Sequence, residues 1–89
     1  QLPEPAMPGM MFKVYPNPTA GSFTLELTEK DDATAVTIEI YNLMGERLMH
    51  QAFSGTSLYR VDMSAMPRGM YIVRVLNGES MEVQRIIKQ

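Results

Sequence analysis

The chain has 89 residues, 45% hydrophobic and 20% charged, with no cysteine and no tryptophan, a composition that suits one small domain with a single core. A domain of this size buries only about 60–65% of its unfolded surface, which leaves little stability for a deep cleft or a buried catalytic network. Eight Lys and Arg against ten Asp and Glu give a net charge of −2, without the basic excess that phosphate neutralisation demands of a nucleic-acid binder.

Residues 1–10 carry Pro3, Pro5 and Pro8 with almost no hydrophobic periodicity, and are expected to form an extended linker ahead of a domain spanning residues 11–89. From Met11 onward short alternating runs are separated by turn residues, the pattern of an all-β domain. Met11 to Tyr15 places Phe12 and Val14 on one face before Pro16 and Pro18, which lack amide donors, end the run or hold it at an edge. Ser22 to Thr28 alternates Phe23, Leu25 and Leu27 against Thr24, Glu26 and Thr28. After a polar loop, Val36, Ile38 and Ile40 alternate with Thr37, Glu39 and Tyr41.

Asn42-Leu43-Met44-Gly45 then offers an Asn that can cap its own turn and a Gly free to take positive φ, as a short hairpin loop with a bulge requires. Glu46 to Phe53 returns with weaker alternation. Leu58 to Met63 sets Tyr59, Val61 and Met63 against Leu58, Arg60 and Asp62. Ser64 to Gly69, with Pro67 and Gly69, reads as a compact corner. Met70 to Leu76 puts Tyr71, Val73 and Val75 on one face, and Asn77-Gly78 is expected to form a type I′ turn into a final strand, Glu79 to Ile87. About seven short strands at spacings of about 8–12 residues predict an immunoglobulin-like antiparallel β-sandwich.

Chemistry is sparse. Without cysteine there are no disulfides, thiolate zinc sites or cysteine nucleophiles, and the nine methionines read as soft core filling in place of Leu. His50 is the sole histidine, inside a strand and far from any nucleophile-elbow glycines, so a structural or exposed role is favoured over catalysis. Glu29, Asp31 and Asp32 lack the spacing of an EF-hand and read as solvated loop charge. Glu26, Glu39, Glu46 and Glu82 alternate with apolar neighbours and are expected to face water, which removes the burial a catalytic acid needs. Tyr15, Tyr41, Tyr59 and Tyr71 could form a sugar-stacking platform only if several shared an exposed face, and half-buried sandwich tyrosines are the commoner outcome. No catalytic residue, metal or cofactor is expected.

No apolar stretch approaches the roughly 18 residues needed to span a bilayer, and the N-terminal residues show no basic-then-apolar signal peptide. A chain beginning at Gln1 and not at Met reads as a segment of something longer, with residues Arg85 to Gln89 as a short basic and apolar end.

Four pieces of the sequence, in order, carry a family resemblance. They are Val14-Tyr15-Pro16-Asn17-Pro18 with Gly21 and Phe23, then Ile40 to Gly45, then Met66 to Tyr71, then Arg85 to Lys88. Over residues 12–89 the chain resembles the C-terminal sorting domain of the type IX (Por) secretion system of Bacteroidetes. The resemblance implies a non-catalytic immunoglobulin-like domain at the end of a cargo protein. That cargo crosses the inner membrane by its own signal, is recognised in the periplasm, and passes the outer-membrane translocon with its shuttle components. A sortase-like cysteine peptidase then removes the domain, leaving the cargo at the cell surface or released.

Carried over residue by residue, the Pro-x-Pro motif falls on Pro16 and Pro18, the Gly-x-Tyr motif on Gly69 and Tyr71, and the recognition signal on Arg85, Ile86, Ile87, Lys88 and Gln89. For the first two motifs a folding role is favoured over contact with a partner; for the tail, recognition. Arg85 and Lys88 stand where many family members carry a richer basic cluster, which weakens a purely electrostatic docking scheme. If the last strand lies at a sheet edge, strand addition or groove docking would let a receptor grip it. On this reading, deleting Ile86 to Gln89 leaves the sandwich largely folded. Edge strands also raise the prospect of a strand-exchanged homodimer. The competing reading is a carbohydrate- or protein-binding β-sandwich retained on a surface enzyme.

Overall fold

A computed structural model of the chain describes residues 12–28, 35–78 and 80–89. The linker expected at residues 1–10 and the acidic group Glu29, Asp31 and Asp32 lie outside the described residues. Seven strands follow in order: β1 (Phe12–Tyr15), β2 (Ser22–Leu27), β3 (Val36–Tyr41), β4 (Arg47–Phe53), β5 (Leu58–Asp62), β6 (Gly69–Asn77) and β7 (Ser80–Lys88). They form two antiparallel sheets, one ordered β1-β2-β5 and the other β4-β3-β6-β7. The immunoglobulin-like sandwich expected from the alternation is the observed architecture, with no helix among the described residues.

The alternation sets the two faces. Phe12, Phe23, Leu25 and Leu27 from one sheet, with Tyr59 and Val61, meet Val36, Ile38, Ile40, Tyr71, Val73, Val75 and Ile86 from the other, and all are buried. Each large apolar side chain so enclosed contributes about 1.5–3 kcal/mol relative to exposure. Met63, just past β5, is fully buried among them, and Met49 and Met66 pack against the cluster, but Met44 and Met81 are exposed, so methionine as core filler holds for only part of the set.

Turn chemistry fixes the registers. The Asn42 carboxamide oxygen accepts hydrogen bonds from the amides of Met44 (2.9 Å) and Glu46 (3.0 Å). Gly45 takes φ +87°, a region costly for residues with a Cβ. The β3–β4 register shifts between Ile40 and Tyr41, so the expected bulge is present. The other hairpin differs from the reading of the sequence. Asn77 pairs with Ser80 in the β6–β7 ladder, so it is not a central turn residue, and Gly78 takes a positive φ, +65°. No residue other than glycine has positive φ among the described residues. The expected type I′ turn centred on Asn77 and Gly78 is therefore not formed, because Asn77 is used to extend the β6–β7 ladder.

Candidate functional site

The family motifs and the chain end come together at one corner of the sandwich. β7 is an edge strand of its sheet, pairing on one side with β6 from Gly69↔Lys88 to Asn77↔Ser80. Its other side is not open along the last residues. After β1 the chain leaves its own sheet at Pro16, and Thr19 forms a parallel bridge with Lys88. The Thr19 amide donates to the Ile87 carbonyl and the Gln89 amide donates to the Thr19 carbonyl, each at 2.8 Å.

One step earlier a side chain takes the place of a backbone. The Asn17 amide nitrogen donates to the Arg85 carbonyl (2.9 Å), and the Asn17 carboxamide oxygen accepts from the Ile87 amide (3.0 Å). A carboxamide offers one donor and one acceptor at the spacing of a peptide group, so Asn17 completes the ladder where Pro16 and Pro18 have no N–H to give. Residues 16–19 thus form a strap over the outward edge of the chain end. The Thr19 hydroxyl anchors it from below, donating to the Ser22 carbonyl at 2.5 Å and accepting from the Gly21 amide at 3.2 Å; Thr19 itself is buried. Gln84 ties β7 to β1 by donating to the Phe12 carbonyl.

The expected recognition signal is divided by the pleat. Ile86 points inward and is fully buried, whereas Ile87 is 42% exposed; Arg85 and Gln89 are exposed and Lys88 half-buried. Two expectations change as a result. The outward backbone groups from the Arg85 carbonyl to the Gln89 amide are already bonded to the strap, so this stretch is not a free rim for strand addition. Deleting Ile86 to Gln89 removes a core side chain and the strap's partner, so the sandwich is not left largely intact by that cut.

Gly69 and Tyr71 sit at the start of β6, opposite Lys88 and Ile86. Gly69 has φ +151°, which L side chains rarely adopt. The Tyr71 hydroxyl donates to the Pro67 carbonyl, and its ring is buried. Both residues build the corner that presents the start of β6 to the end of β7. Pro16 and Pro18 are exposed and shape the strap; the Tyr15–Pro16 and Asn17–Pro18 peptide bonds are cis.

Outside the sandwich, the four-stranded sheet has two unlike regions. On the β6–β7 ribbon, Met70, Ile72, Val83, Arg85 and Ile87 line a shallow groove that Asn17 closes at one end. On β3, Glu39 faces outward yet is buried, contrary to the expectation that it meets water. Its carboxylate accepts from Arg74 Nε (2.8 Å), Tyr41 Oη (2.9 Å) and Arg47 (3.2 Å). Burial pushes the Glu39 pKa up, but the hydrogen bonds from Tyr41, Arg74 and Arg47, with the charge of Arg74, outweigh it and hold the carboxyl below its ordinary value. The signal for this cluster was available in the register, which sets Glu39 opposite Arg74 and His50.

The half-exposed His50 ring stands 3.8 Å from the same carboxylate. Tyr59 and Tyr71 are buried, Tyr41 lies beneath Arg74 (5.6 Å to the ring centre), and Tyr15 lies on the other sheet, donating to Glu26. The four tyrosines share no exposed face, which removes the stacking platform. No group of three or more potential metal ligands occurs among the described residues.

Comparison with known proteins bears on what the corner is for. Residues 13–89 match the family described as "Secretion system C-terminal sorting domain". The chain is 34% identical over 67 residues, 75% of its length, to the protein named Ulvan lyase NLR42 of Nonlabens ulvanivorans. It is 26% identical over 86 residues, 88% of its length, to Karilysin of Tannerella forsythia. The matched parts are 12% and 18% of those two proteins, so the chain spans only a small share of either relative. With the match running from β1 through the strap, the Gly69–Tyr71 corner and the last strand, the chain belongs to the C-terminal sorting domain family of the type IX secretion system.

Proposed function

We propose that this domain is a non-catalytic signal that directs an attached N-terminal cargo protein from the periplasm through the type IX outer-membrane translocon and its shuttle components. A sortase-like cysteine peptidase then removes it, cutting at or before the proline-bearing residues 1–10. The observation that carries this reading is the family match over residues 13–89, which includes the motif residues Pro16, Pro18, Gly69 and Tyr71 and the signal at Arg85 to Gln89. Within it, Pro16, Pro18, Gly69 and Tyr71 shape and brace the corner, and the chain end is what the machinery reads.

The test is a periplasm-targeted reporter fused ahead of the chain, expressed in a type IX-competent bacterium and in a strain lacking the translocon. Surface or medium delivery of a reporter trimmed of the domain is expected in the first strain, with an untrimmed periplasmic product in the second. Delivery in both strains, or persistence of the domain on the mature reporter, overturns the proposal. The second outcome would favour a retained binding module.

A further inference from the structure

The strap and the groove together specify how the chain end can be touched. Strand addition needs outward-pointing amides and carbonyls, but those at the Arg85 carbonyl, both groups of Ile87 and the Gln89 amide are bonded to Asn17 and Thr19. What the end still offers is its side-chain face. There Arg85 pairs across the ladder with Ile72, and Ile87 with Met70; Val83 precedes Arg85 on the same face and is 50% exposed. The outer face of a sandwich is ordinarily polar, so a run of Met70, Ile72, Val83 and Ile87 on it is an unspent apolar surface.

Arg85 lies in the middle of that surface. Among the described residues its guanidinium makes no ion pair; Ile72 opposite it and Val83 and Ile87 beside it are aliphatic, with Asn17 at the end of the groove. Arg47 and Arg74, on the same sheet, are both engaged by Glu39. A planar cation flanked by apolar side chains is complementary to a carboxylate similarly flanked, which it can bind by two parallel hydrogen bonds while the apolar groups beside it exclude water.

Resting on the sorting-signal reading, we propose that the receptor reads the outer face of the β6–β7 ribbon and not its backbone edge. The fitting partner is a protein surface that presents an Asp or Glu among aliphatic or aromatic side chains, with the carboxylate on Arg85. The signal is then a folded patch drawn from two strands, and Ile72 and Met70 on β6 belong to it as much as the terminal residues do.

The reporter fusion distinguishes this from linear or edge recognition. Arg85→Glu is expected to lower surface delivery more than tenfold and Arg85→Lys, which keeps the charge, less than Arg85→Gln. Ile72→Lys and Met70→Lys, each a strand away from the chain end, should lower it at least fivefold, while Leu58→Lys on the opposite sheet leaves it unchanged. Thermal unfolding of each purified domain identifies any variant whose fold is lost, and Val83→Lys serves as the replacement. Normal delivery of folded Ile72→Lys, Met70→Lys and Val83→Lys overturns the face-reading proposal and leaves the sorting function standing. Failure of the unsubstituted fusion to be delivered overturns the function itself. Light scattering supplies a further check: a wild-type dimer that Arg85→Glu dissociates would make this face a contact between copies of the chain and overturn the proposal.

Discussion

At the β3 side of the outer face, Arg47 and Arg74 close on Glu39, and Tyr41 donates to the same carboxylate. Two strands away, Arg85 lies between Val83 and Ile87 with no acid paired to it among the described residues. The first region is satisfied from within the molecule and has nothing left to offer a partner; the second has charge and apolar area left over. Both regions lie on one sheet and both hold arginine, so residue type alone does not separate a brace from a docking face. The deciding quantity is whether the hydrogen-bonding and apolar capacity is already filled.

The comparison can be broken most forcefully through the side of β7 that belongs to neither region. Ile86→Ala removes a fully buried side chain and is expected to cost about 2–5 kcal/mol, whereas Ile87→Ala, on the exposed face, should cost under about 1 kcal/mol. Thermal melts of the two variants check this, at roughly 4–8 °C per kcal/mol for a domain of this size. Equal losses would mean that the pleat does not divide the terminal segment as described.

Removing the charge of the brace is next in size. Glu39→Gln leaves Arg74 and Arg47 without their acid and is expected to cost about 2 kcal/mol, discounted because both guanidinium groups are partly exposed. The same carboxyl sets a pH dependence. Its folded-state pKa lies below the ordinary 4.5, so the unfolded chain takes up protons more readily. The contribution is therefore present above about pH 4.5 and is lost as pH falls through the lower folded value. Denaturant midpoints recorded down the acid limb should fall less steeply for Glu39→Gln than for the parent.

The smallest effect sharpens the boundary between strap and groove. Asn17→Ala deletes two hydrogen bonds at an exposed position and is expected to cost about 1 kcal/mol. Amide hydrogen exchange should quicken at Ile87, whose N–H loses its acceptor, and stay slow at Ile86, which faces β6. Unchanged protection at Ile87 would show that the strap does not cover the edge.

Alternation in β2, β3, β5 and β6 made the core legible, because a period of two admits one assignment of faces once a single buried residue is known. Gly45 and Asn42 made their hairpin legible through the conformations only such residues tolerate. The strap was not legible. Pro16 and Pro18 announced an interruption, but a carboxamide standing in for a peptide group depends on two segments 68 residues apart, and no local pattern records that meeting. The Asn77-Gly78 signal failed for a related reason, since pairing of Asn77 with Ser80 outweighed a local turn preference. Glu39 looked solvent-facing because the alternation reports which way a side chain points and not what folds over it. The terminal segment could be named as a candidate signal, yet its division into a core residue and a face residue needed the pleat.

The bonds between Asn17 and β7 join positions 68 and 70 residues apart in sequence. Contacts of such separation close large loops and raise the contact order, so a domain tied together this way is expected to fold more slowly than one built from local hairpins alone.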